Sequence, residues 1–90
     1  MEEVMETAED IRALKEIEQA TADLIALTTH WTEHEDVPGS QEGKCKEIGR
    51  RLHELGGMHA MQEAYREAKA TNRAASVVQA FWHGIGDWQW

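Results

Sequence analysis

Apolar positions recur at helical spacing along nearly the whole chain, and no stretch alternates apolar and polar residues in the manner of a strand. From Thr7 to about Glu33, Leu14, Ile17, Leu24, Leu27 and Trp31 form one stripe, filled in by Ala13 and Ala20 and widened by Ile11 and Ile25. This pattern predicts a long first helix. Thr7 suits its N-cap, with Asp10 three residues on, and Glu9 and Asp10 suit the positive end of the helix dipole. Residues 1–6 precede that cap and are expected to fray. A stripe so broad predicts packing against two neighbours rather than one. At 1.5 Å per residue the helix is roughly 40 Å long, so one end is expected to project or to meet a partner.

Asp36-Val37-Pro38-Gly39-Ser40 is the clear break, with Pro-Gly favouring a turn and Ser40 suited to cap the next helix. A second helix is predicted from Gln41 to Leu55, burying Cys45, Ile48, Leu52 and Leu55. Gly49 lies beside that face and allows a close approach. Gly56-Gly57 is expected to end it, one glycine adopting the left-handed conformation. A third helix runs from Met58 to Lys69, burying Met58, Met61, Ala64, Tyr65 and Ala68. Thr71 or Asn72 caps a fourth, ending near His83, whose Ala74, Ala75, Val77, Val78, Ala80, Phe81 and Trp82 leave little polar surface. The expected fold is therefore all-α: one domain over residues 1–90, a four-helix bundle with a long first helix and three shorter ones. Three of the four tryptophans fall in Phe81–Trp90, F-W-H-G-I-G-D-W-Q-W. Indole rings at an open chain end need cover, so the tail is expected to pack back onto the chain's own core, a second copy or a ligand.

Composition narrows the function classes. Ninety residues, 41% apolar, support a single modest core. A formal net charge of −8 disfavours nucleic acid and anionic membranes as partners. The N-terminus has no signal-peptide pattern, no run reaches the roughly 18 apolar residues of a membrane span, and the lone Cys45 has no internal disulfide partner. A reducing, cytoplasmic setting is expected. Charge is unevenly spread. Residues 1–36 carry eleven acids against Arg12 and Lys15, leaving −9, whereas residues 37–73 carry seven bases against five acids, leaving +2.

Four features carry candidate chemistry. His30-Trp31-Thr32-Glu33-His34 matches H-x-x-E-H, which on a helix sets two histidines one turn apart to share zinc, with Glu33 as general base. The alternative is that both histidines serve the negative end of an acidic helix. Cys45 stands between Lys44 and Lys46 near a helix start, an arrangement that lowers a thiol pKa, but it also belongs to an apolar face. Residues 44–73 can be drawn as a DNA-binding helix-turn-helix, and I-G-R-R-L at 48–52 resembles the opening helix of some repressor domains. Glu63 and Glu67 then stand where a reading helix should not repel phosphate. Tyr65, Phe81, Trp82, Ile85, Trp88 and Trp90 can line an interface or ligand pocket, or complete the core. No phosphate loop, nucleophile elbow or C-x-x-C is present, and no cofactor is expected. The reading that best fits is a protein-interaction module, acting as a homodimer or as an adaptor for another protein, with Trp82, Ile85 and Trp88 as anchors. A metal-dependent hydrolase built on His30, Glu33 and His34 is the alternative, and DNA binding through 44–73 the second.

Overall fold

The computed structural model describes residues 2–32, 37–86 and 88, with backbone alone for residues 2–10. The chain is all-helical, with no strand among the described residues. Helix α1 spans Glu2–Thr28, α2 spans Gly39–Thr71, a 3-10 helix covers Arg73–Val77, and α3 covers Val78–Trp82. There are thus three α-helices where four were expected.

The difference arises at two places. The Gly56-Gly57 pair breaks the helical geometry where a boundary was expected, and α2 spans it as two helical limbs about a sharp kink: Gly57 takes φ 68° and ψ −158°. Only glycine adopts that conformation without strain, and it is the left-handed residue the sequence called for. The expected fourth helix is instead a 3-10 turn joined to a single short α-helix. Asn72 sits in extended geometry and its side chain accepts from the Ala74 N–H at 3.1 Å. Ser76, Val77 and Val78 are weak helix formers, and the tighter winding seats Ala74 and Ala75 in the core.

The kink folds α2 back on itself. Trp31 touches both ends of that helix: its indole N–H donates to Gln41 at 2.6 Å, and its carbonyl accepts from the Asn72 amide at 3.0 Å. A straight helix of 33 residues would hold those ends some 50 Å apart. Gly56, at the kink, lies against Ile17: a Cβ built on Gly56 would stand 3.0 Å from the Ile17 Cδ1. From Ile17 to Thr28, α1 therefore runs antiparallel to the first limb of α2 and parallel to the second. The breadth of the α1 stripe reflects these two neighbours.

Both ends of the α1–α2 loop depart from the expected caps. α1 stops at Thr28, five residues short of Glu33, because Asn72 takes over its terminal carbonyls, donating to Thr28 O at 2.6 Å as well as to Trp31 O. At the start of α2 the Pro38 carbonyl accepts from Gln41 and Glu42 at 2.9 and 3.0 Å, so Ser40 is inside the helix rather than its cap.

The core gathers Leu24, Leu52, Met61, Val78 and Trp82, all fully buried, among the alanines Ala20, Ala64, Ala68 and Ala75. Small residues on α2 make room for indoles from α3 and the tail. Gly49 is the clearest case: a Cβ there would stand 2.5 Å from the Trp82 Nε1. Helix α1 projects beyond this core. Its kink-level residue is Ile17, and no described side chain before Ala20 is buried. The residues ahead of Leu14 form an overhang of roughly 18 Å at 1.5 Å per residue. The principal extents of 54 × 23 × 21 Å reflect it. No helix among the described residues is long and apolar enough to cross a membrane.

Candidate interaction surface

The tail folds back onto the chain's own core. Gly84 and Gly86 adopt φ 91° and 57°, reversing the backbone so that Gly84 N–H donates to Trp88 O at 3.2 Å. Trp82 is completely buried and donates from its indole to the Cys45 carbonyl at 2.8 Å. Trp88 is buried too, donating to Gln79 O at 3.1 Å. Its ring meets Trp82 edge-on at 5.2 Å and Tyr65 at 5.8 Å. Such edge contacts match the positive ring edge of one aromatic to the negative face of the next. Phe81 meets Trp31 in the same way at 6.0 Å, and the Tyr65 hydroxyl accepts from the Gln79 amide. The structure thus joins Tyr65, Trp82 and Trp88 in one aromatic cluster. Phe81 and Ile85 stay half-buried at its edge. Trp90 lies outside the described residues. The rings and N–H groups of Trp82 and Trp88 are thus engaged within the chain.

The remaining candidates lie elsewhere on the fold. His30 is exposed in the turn after α1, two residues past the helix end, so α1 does not supply the helical register that H-x-x-E-H requires. Glu33 and His34 lie outside the described residues. Among the described residues no group of three or more His, Cys, Asp and Glu side chains is placed to hold a metal ion. Cys45 is fully buried, and burial pushes its thiol up from 9.0 to about 12, far from a reactive thiolate. The flanking lysines do not offset this loss of hydration. Within 44–73, Arg50, Arg51 and Arg66 are exposed, but Glu63 and Glu67 are exposed on the second limb as well. Lys69 lies over the Tyr65 ring at 5.9 Å.

Sequence reasoning missed the surface that stands out once the tail is accounted for. Among the described residues, the large apolar side chains left exposed are Ile11 and Leu14, 47% and 58% accessible, one helical turn apart on α1. Leu14 was expected in the buried stripe, but the kink of α2 lies at the level of Ile17 and leaves Leu14 mostly uncovered. Leu14 opens onto a groove of about 450 Å³ between α1 and the second limb of α2. Half-buried Ile17 and Ile25, with buried Thr21 and Ala60, form its floor. Exposed Glu18, Glu63 and Glu67 stand at its edge, Glu63 also accepting from His59 at 3.1 Å. The sequence signal was present in the periodicity: Ile11 and Ile25 widen the stripe of Leu14 and Ile17 to one side. What α2 would leave open could not be read without the kink.

Compared with known proteins, the chain matches no family model, no curated sequence and no solved structure.

Proposed function

We propose that the chain is a protein-interaction module whose binding surface is the outward apolar face of α1. The observation that carries this reading is the exposure of Ile11 and Leu14 on a helix that overhangs the fold, in a protein that otherwise covers its large apolar side chains among the described residues. Scattered exposed aliphatics are ordinary, but these two are adjacent and continue into an apolar groove. The anchors first expected, Trp82 and Trp88, hold the chain's own core, so the tail contributes stability and the aliphatic ridge is left for recognition.

Of the two modes expected from the sequence, the adaptor fits this face better than the homodimer. The α1 sequence Glu2–Thr28 carries eight acids against Arg12 and Lys15. Two such ridges laid together would set like charges side by side.

Photo-crosslinking in the host cell tests the proposal. A photoreactive residue at position 14 is expected to trap a discrete protein adduct, and one at exposed position 76 on the 3-10 helix is not. Equal labelling at both positions, or none at position 14, removes the basis for the reading.

A further inference from the structure

We infer that the occupant of the α1–α2 groove is an amphipathic helix of another protein, with aliphatic anchors on one face and lysine or arginine on its flanks. The inference rests on the interaction reading above and names the partner's chemistry.

Three features of the groove converge on this class. Its floor is aliphatic and free of aromatic rings: Leu14, Ile17, Ile25 and Ala60 offer a shallow trough, with Thr21 as the polar break. From Leu14 to Ile25 the trough runs along α1 for about 16 Å, or three helical turns, at 1.5 Å per residue. A docked helix of that length presents anchors at i, i+3 or i+4, and i+7, the spacing used when a helix fills a groove between two others. The narrow second wall supports the same reading, because Ala60 is small and permits close approach of a helical backbone.

Charge selects among such helices. All three ionisable residues lining the groove, Glu18, Glu63 and Glu67, are acidic, and they come from both walls. Arg12 and Lys15 are on α1 but do not line it, and His59 is spent against Glu63. A helix with basic flanks meets a carboxylate on each side, whereas an acidic helix meets only repulsion. Since these carboxylates are exposed, each attraction is modest on its own, and discrimination comes mainly from the repulsion that a like-charged flank meets. A second copy of this chain offers no such surface from α1, which is itself acidic.

The test is fluorescence anisotropy on the full-length protein with two labelled synthetic helices, identical in their leucine anchors and flanked by lysine in one and glutamate in the other. The lysine-flanked helix is expected to bind and the glutamate-flanked one not to. Glu63→Lys/Glu67→Lys is expected to weaken the lysine helix at least tenfold and to admit the glutamate helix. Glu47→Lys/Glu54→Lys changes the net charge equally on exposed sites of the other limb and is expected to leave the preference intact. Circular dichroism establishes that both variants fold. If the two double variants weaken binding alike, the attraction is to the acidic protein at large and the groove is not the site. If neither helix binds, or both bind equally, the inference fails. An adduct at position 14 in the cell then still upholds the interaction reading with a partner of different chemistry.

Discussion

Replacing Gly49 with alanine gives the most direct check on the packing, because two principles oppose each other in sign. Gly49 lies within α2, where glycine costs about 0.5–1 kcal/mol relative to alanine. If backbone propensity decided the matter, Gly49→Ala would stabilise the protein by that amount. The structure places the new Cβ 2.5 Å from the Trp82 Nε1 and 2.8 Å from its Cδ1. The indole cannot swing aside cheaply. It is fully buried, its N–H is held by the Cys45 carbonyl at 2.8 Å, and Trp88 stands edge-on behind it at 5.2 Å. Overpacking of this kind costs about 1–3 kcal/mol, and a displaced indole forfeits roughly 1 kcal/mol more from its hydrogen bond. Set against the helical gain, the net is a loss of about 1–3 kcal/mol. Urea denaturation monitored by tryptophan fluorescence and far-ultraviolet dichroism measures it. In thermal melts each kcal/mol lowers Tm by about 4–8 °C for a domain of this size. A smaller ring should relieve the clash: Gly49→Ala is expected to cost at least 1 kcal/mol less in a Trp82→Phe background than alone. A Gly49→Ala protein as stable as the parent, or more so, would refute the docking of α3 on α2.

Asn72→Ala removes the amide that closes α1 and the oxygen that caps the 3-10 helix, and should cost about 2–3 kcal/mol in chemical denaturation. Asn72→Asp keeps the cap but loses the donors, and should recover little of that loss. Leu24→Ala should destabilise by about 2–5 kcal/mol and Leu14→Ala by under about 0.5 kcal/mol, since the first is fully buried and the second 58% exposed; comparable losses would place Leu14 in the core. Cys45 should resist alkylation in native buffer and react at once in denaturant. Its thiol pKa is raised on folding from 9.0 to about 12, so the unfolded chain alone deprotonates between those values. Stability therefore falls as pH rises above 9, and the difference between wild type and Cys45→Ala should narrow over that range.

The helical class was legible because periodicity is a local signal, and so was the left-handed glycine, because only glycine fits it. The inward tail was legible in outline from the sheer surface of its indoles. What the local pattern could not carry is the consequence of the Gly57 kink. Folding α2 back sets the kink beside Ile17, so that Leu14, one turn earlier, is left 58% exposed at the groove rather than in the core. Asn72 escaped for a related reason. As a sequence feature it is a competent cap for the 3-10 helix beside it, but most of its bonds reach back more than 40 residues to Thr28 and Trp31, and those decide where α1 ends. The helical register drawn for the histidine motif assumed that α1 reaches Glu33, whereas α1 stops at Thr28 and Glu33 and His34 lie outside the described residues.

The groove itself can be traced to a size mismatch, and this yields a test that leaves charge untouched. The second limb presents Ala60 to the groove, where a longer side chain would have filled space beside Ile17 and Ile25. On α1, Ala22 is exposed and also lines the groove, so its methyl group leaves the trough open from that side. Ala22→Leu adds three carbons there without entering the core. Leucine and alanine differ little as helix formers, so stability should stay within about 0.5 kcal/mol of the parent. Binding of a leucine-anchored helix should fall tenfold or more, because the trough is already filled. Ala26→Leu is the matched control: Ala26 is exposed one turn further along the same helix and faces the other groove, with Lys44, Ile48 and Arg51. It makes the same chemical change and should leave affinity alone. Equal losses from both variants would locate recognition along α1 as a whole, and no loss from either would move it off this helix altogether.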